Sequence, residues 1–423
     1  MKQPKLNIIY SFLICTVFLL FFENAGAFSP KKNDLLGNNL KYEAIDAHAR
    51  KTPKSAETSL PRLVKYLTKP ARNEREKVRS FYVWLTHNIA YDVKLAKKTD
   101  FGEIRVVKNA EYEMKRIAAT TLKHRKGVCQ GYAELFKFMC KLAKIECEVV
   151  KGFSRKGQQG KDFSTPDHAW NAAFVDGKWA LLDITWGAGS VFGGKRFEAH
   201  FSEKPFLENP KTFVHDHLPN DPAWQLLACP VSLEIFKKGE KNINTTLAKQ
   251  KACFDFEEEI AQLETLPPQE RALQSAENAY RFNRKNKRRL GMAYMNYGSH
   301  LARQVQEKID NQSISIQDHI KSYEKIISVR KKGLTYLNDE PNFQAAMGFA
   351  YLNYGIAIGN LRKEQKGKKL LKSFEKSLAQ FETAKKWLKK GKDKQAKQGL
   401  NSCEKNIKIT KDNIRICKKR LQK

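Results

Sequence analysis

The stretch from His168 to Thr185 constrains the fold more than any other. Two runs, His168–Val175 and Lys178–Thr185, are rich in aromatic, β-branched and small apolar residues, and Asp176-Gly177 separates them. Asp-Gly between two such runs is a two-residue hairpin turn. In the register it sets, Val175 faces Lys178, Trp170 faces Asp183 and His168 faces Thr185. The last two pairs point to the same side of the sheet. His168 and Asp183 then become diagonal cross-strand neighbours, close enough for an imidazole to meet a carboxylate.

A second segment brings a thiol. Gly127-Val128 interrupts a basic stretch, and then Cys129, Tyr132, Ala133, Phe136, Met139, Cys140 and Ala143 recur at intervals of three and four. That spacing predicts a helix with Cys129 in its first turn, on the buried face. A helix N-terminus favours the thiolate through its unpaired N–H groups and dipole. A nearby imidazole can take and return the proton. Asp183 would accept from the other ring nitrogen and fix the tautomer, and the Cys129 N–H could receive a developing oxyanion. The sequence does not identify a second donor. Each residue has a plainer reading: a core cysteine, a structural strand histidine, an aspartate that caps a turn. Their joint placement points to Cys129, His168 and Asp183 as a catalytic set. No cofactor is expected, and no metal, since Cys129, Cys140 and Cys147 lack close paired spacing.

Around these blocks, the sequence predicts a helix from Glu74 to about His87, capped by Asn73 with Glu76. Its apolar face is Val78, Phe81, Tyr82, Leu85 and Ile89. Ile145–Phe153 reads as a strand, and Arg155–Pro166 as a polar loop.

Three blocks resemble the core of the transglutaminase-like superfamily. They are Gly127-Val128-Cys129-Gln130-Gly131-Tyr132-Ala133, Asp167-His168-Ala169-Trp170-Asn171 and Leu182-Asp183-Ile184-Thr185-Trp186-Gly187. Phe81–Tyr91 resembles the helix and loop that precede them, and His215–Gln225 the tail of the kyphoscoliosis-peptidase-like branch. The resemblance covers roughly residues 61–228. It implies a papain-like α+β fold with Cys129 as nucleophile, His168 as base and Asp183 as its orienter.

The organisation expected for the whole chain is a signal peptide (1–27), a basic polar tether (28–60), the transglutaminase-like catalytic domain (61–228), a connector (229–268) and a basic α-helical repeat-like domain (269–423). Lys2 and Lys5, an apolar run from Leu6 to Phe22, and Ala25-Gly26-Ala27 follow the order of a signal peptide. Its cleavage would leave Phe28 first, in a secreted or periplasmic protein. An uncleaved membrane anchor is the rival reading, because the run is near spanning length. Ile14 argues against a lipid-anchored start at Cys15. Seven cysteines follow residue 27, so in an oxidising space at least one is unpaired within the chain. Cys403 and Cys417 lie too far apart along one helix to bridge each other. Leu266-Pro267-Pro268 punctuates the boundary before the helical region. There Gly291–Gly298 reappears as Gly348–Gly355, offset by 57 residues with six of eight positions identical. Stacked helical units produce such patterns.

The formal net charge is +33, and residues 362–423 hold 22 Lys and Arg against 6 Asp and Glu. A basic face of this kind suits an anionic surface or polymer, with a plain solvated helix pair as the alternative. The chain carries no fold signature for sequence-specific nucleic-acid binding. The function expected is a secreted thiol enzyme acting on peptide or side-chain amides of a protein or peptide substrate through an acyl-enzyme, by hydrolysis or by transfer to an amine. The alternative is a non-catalytic binding or scaffold module that retains the fold.

Overall fold

The computed structural model describes residues 42–99, 110–155, 163, 166–249, 251–337 and 341–422. The expected signal peptide, the first part of the expected tether and most of the polar loop 155–166 lie outside these residues.

The centre of the α/β region is a four-stranded antiparallel sheet in the order β5-β4-β3-β8, with β3 Cys147–Ser154, β4 His168–Val175, β5 Lys178–Leu182 and β8 His217–Pro219. The hairpin forms in the expected register from Val175↔Lys178 to Asn171↔Leu182. Asp176 and Gly177 both have positive φ, 53° and 74°, as a type I′ turn requires. Beyond Leu182 the expectation fails. Asp183 leaves the ladder, its N–H donating to the Pro205 carbonyl, and its side chain caps the short helix Ile184–Ala188. Thr185 is therefore helical and does not face His168. An aspartate accepting from the N–H three residues on starts a helix more readily than it extends a strand.

Alternation along β4 divides the core. Ala173 and Val175 join one cluster with Phe81, Trp84, Tyr132 and Phe136. Trp170 and Ala172 join the opposite one with Phe213, Trp224 and Ile260. Residues from α1 Glu43–Arg50, α2 Leu60–Leu67, α3 Glu74–Asn88, α5 Ala110–His124 and α6 Cys129–Leu142 join the first cluster, while the short α4 Val93–Lys98 between α3 and α5 buries none of its residues. In α3, Asn73 accepts from the Glu76 N–H, while Glu76 reaches back to the Arg72 N–H rather than to Asn73. Every residue from Val78 to Thr86 is buried, so α3 runs through the core and does not show a single apolar stripe.

Two boundaries differ from expectation. Residues 43–58, assigned to a tether, form α1 and a 3-10 turn. Asp46 of α1 receives two hydrogen bonds of 2.7 Å from the buried Arg79 guanidinium, an ion pair that a solvated tether would not make. Residues 229–268, assigned to a connector, also build core. After α7 Ile184–Ala188, the antiparallel pair β6 Gly189–Phe192 with β7 Arg196–Ala199, and α8 Pro210–Phe213 come α9 Leu233–Lys238, α10 Glu240–Lys249 and α11 Phe256–Glu264. Phe236 and Ile243 pack with Phe153 and Leu218, and a disulfide joins Cys229 to Cys253. Cys140, Cys147 and Cys403 are buried free thiols, as ordinary core cysteines would be.

The C-terminal region is helix-rich: α12 Pro268–Phe282, α13 Lys287–Asp310, α14 Ile316–Leu334, α15 Pro341–Gly359, α16 Gly367–Leu388 and α17 Lys394–Leu421. The two similar segments lie in α13 and α15. A Cβ on Gly291 would meet Leu337 at 2.6 Å, and one on Gly348 would meet Leu388 at 2.5 Å. Both glycines therefore permit a close helix approach. No described helix is long and apolar enough to cross a membrane.

Candidate active site

Cys129 is the first residue of α6, 1 % exposed, after Val128, which offers no side-chain cap. Among the described residues, no acceptor takes the Cys129 N–H. The short parallel pair β1 Ala90–Tyr91 with β2 Lys126–Gly127 sets Tyr91 opposite Gly127, two residues before the thiol. Asn171, fully buried on β4, donates to the carbonyls of Ala133 and Glu148 and so ties α6 to the sheet.

His168 opens β4. The preceding Asp167 is pinned to β3, with its carboxylate accepting from the Ser154 N–H at 2.8 Å. The His168 ring lies near Trp186 and Trp170, with centroid separations of 5.6 and 5.8 Å. Its Nε2 is 2.7 Å from Asp183 Oδ2. The expected contact is thus present, although Asp183 makes it from a helix cap and not from a strand. Capping and orienting, which look like alternatives in the sequence, are done by the two oxygens of one side chain. Oδ1 accepts from the Trp186 N–H at 3.1 Å, and Oδ2 takes the imidazole.

Burial pulls the His168 pKa down, but the Asp183 charge, its hydrogen bond and the interaction with the Cys129 thiol outweigh this and raise it well above the ordinary value. For Asp183, burial acts upward, and the two histidines more than reverse it, holding the carboxyl below its usual range. The pair is therefore imidazolium and carboxylate. With Nε2 taken by Asp183, Nδ1 is left for the Cys129 sulfur. Burial raises the Tyr91 pKa, with smaller contributions from Cys129 and Asp183, so its hydroxyl stays protonated.

One residue of the cluster was missed by the reading from the sequence. His217, 2 % exposed, brings its Nε2 to 3.0 Å from Asp183 Oδ2. Burial and the neighbouring His168 lower its pKa against the pull of Asp183, so its ring is neutral. Its position in the segment His215–Gln225 was the only available signal. No spacing rule links it to Asp183, 34 residues away. His168, Asp183 and His217 are also the one set among the described residues whose ligating atoms, all within 4.8 Å, could hold a metal ion. Hydrogen bonds already account for the close approaches between Asp183 and both rings.

A cavity of about 390 Å³ opens beside the cluster, lined by Tyr91, His168, Trp186 and His217 among others. Cys129 is not among the lining residues.

Residues 61–184 match the family model described as the transglutaminase-like superfamily. Human kyphoscoliosis peptidase is 36% identical over 202 residues, which are 47% of this chain and 28% of that protein. The Lim and transglutaminase domain protein ltd-1 of Caenorhabditis elegans is 26% identical over 230 residues, 50% of this chain and 29% of that one. Hillarin of Drosophila melanogaster is 26% identical over 219 residues, 47% of this chain and 24% of that one. The matches thus span under a third of each relative's length. By residues 61–184 and these relatives, the chain carries a transglutaminase-like domain of the kyphoscoliosis-peptidase-like branch.

Proposed function

We propose that this protein is a thiol enzyme that cleaves or transfers amide bonds through a thioester on Cys129. The observation that carries the reading is the 2.7 Å contact from His168 to a buried, charged Asp183, beside a thiol at a helix N-terminus. The Cys129 sulfur attacks the amide carbonyl carbon while His168 holds the thiol proton. The tetrahedral oxyanion is received by the Cys129 N–H and the hydroxyl of Tyr91, a cavity-lining phenol whose electrostatics feel the thiol. Collapse breaks the C–N bond, and His168 gives the proton to the departing amine. Water or a second amine then attacks the thioester, with His168 as base. Asp183 keeps the imidazole oriented throughout.

The substrate proposed is a protein or peptide. Export is proposed from the order of charge, apolar run and small residues in 1–27, supported by the Cys229–Cys253 disulfide, which an oxidising compartment would preserve. The helix-rich C-terminal region is proposed to be a repeat-like array. Its lysines are proposed to meet an anionic surface.

The direct test is to incubate the reduced protein with candidate peptides and amines and measure its intact mass. A covalent acyl adduct that maps to Cys129 and is absent in Cys129→Ala is expected. A second reading, a non-catalytic binding module, is favoured by one observation: Cys129 is 1 % exposed and does not line the cavity. Turnover of a substrate without any Cys129 adduct, or identical turnover in Cys129→Ala, would count against the thiol mechanism.

A further inference from the structure

We propose that His217 is a positioning residue of the triad, donating its Nε2–H to Asp183 Oδ2 so that the carboxylate is held where His168 needs it. The inference rests on the thiol-enzyme reading and extends it to a fourth side chain.

The backbone of His217 is fixed independently of the triad. It is the first residue of β8 and pairs with Ser154 of β3. Its ring stacks on Phe213 at 4.0 Å and 16°, and lies 4.3 Å from the Trp186 ring. Among the described residues only Nε2 has a hydrogen-bond partner, and the buried Nδ1 has none. A carboxylate oxygen can only accept, so the single proton of a neutral ring must sit on Nε2. The orphaned Nδ1 is a cost that an apolar ring would avoid, so packing alone does not explain a histidine here.

The two imidazoles on Asp183 are not equivalent. His168 carries the positive charge and exchanges a proton with the thiol. A second cation 5.6 Å away, centroid to centroid, would repel it. A neutral donor adds a hydrogen bond to the carboxylate without adding charge. With the Trp186 N–H on Oδ1 and two ring nitrogens on Oδ2, the carboxylate has donors on both oxygens and cannot turn away from His168.

The test is the rate at which iodoacetamide alkylates Cys129 in the full chain, reduced mildly and read by peptide mass. His217→Phe keeps a ring against Phe213 and removes the donor. It is expected to slow labelling about 10–100-fold, the scale of one lost hydrogen bond to a charged group. His217→Gln, whose amide N–H reaches as far as Nε2, should restore most of the rate, whereas the shorter His217→Asn should not. Wild type and His168→Ala separate the two levels of the claim. If wild-type Cys129 labels no faster than the half-buried Cys417, the thiol-enzyme reading fails first. If wild type is fast and His168→Ala is slow, but His217→Phe matches wild type, the positioning role is overturned. Should His217→Phe fail to fold, the Gln and Asn variants decide, and equal rates for those two would overturn the role as well.

Discussion

At the scale of single residues, the site combines groups whose separate environments oppose one another. Burial alone would discharge both His168 and Asp183, and each keeps its charge because the other is 2.7 Å away. Removing one partner is therefore worse than removing both. Tyr91→Phe tests the oxyanion assignment. Losing one such donor should lower turnover about 10²-fold with little change in stability, and unchanged turnover would leave the Cys129 N–H without a helper. A pH-dependent case lies nearby at Asp221, 4 % exposed, whose carboxyl burial pushes up to about 6. A carboxyl with a folded pKa above its unfolded value of about 3.9 costs stability as pH rises from about 4 through 6, and the cost persists above that. Asp221→Asn keeps an acceptor for the Ala223 N–H. Relative to wild type it should gain stability between pH 4 and 7, read as a difference in denaturant midpoint. Parallel curves at the two pH values would show that Asp221 does not titrate in that window. The meeting of His168 with Asp183 was legible in the sequence because Asp176-Gly177 fixes the hairpin register, and the helix start at Cys129 was legible from helical spacing. His217 was not, because its contact depends on how β8 returns to β3.

At the scale of elements, one short helix decides the geometry. The hairpin register brings Asp183 near His168, but α7 aims the carboxylate, and the run Leu182–Thr185 resembles a continuing strand. The local competition between strand propensity and an aspartate cap cannot be settled from propensities alone. Pro205, which takes the Asp183 N–H, is distant in sequence. Gly187 closes the same helix under Tyr82, where a Cβ would stand 2.0 Å from the phenol oxygen. That phenol donates to the Ser202 carbonyl at 2.6 Å. Gly187→Ala should therefore cost about 1–3 kcal/mol in equilibrium unfolding, the usual range for overpacking. It should also slow Cys129 labelling by displacing Trp186 and Asp183. A neutral effect on both would mean that Tyr82 moves aside freely.

At the scale of the whole molecule, the α+β region and the helix-rich region touch through polar groups. Arg271 of α12 reaches Glu148 of β3 at 2.9 Å, and Glu148 also takes Lys137 of α6 at 2.6 Å. The break between α11 and α12 at Leu266-Pro267 was readable from the sequence, whereas this ion-pair bridge was not, because nothing in a linear sequence pairs residues 123 apart. If the lysines of α16 and α17 meet an anionic surface, retention on phosphatidylserine vesicles should fall steeply between low and physiological salt. Binding that ignores salt would exclude an electrostatic contact. The central claim, however, is chemical. It is tested most directly by competing Cys129 against Cys417 for iodoacetamide at neutral pH in wild type and in Asp183→Asn. The account predicts that buried Cys129 reacts at least about 10-fold faster than Cys417 in wild type, and loses that advantage in Asp183→Asn, where an amide favours the wrong imidazole tautomer. Slower labelling of Cys129 than of Cys417 in the folded wild type, or no response to Asp183→Asn, would contradict it.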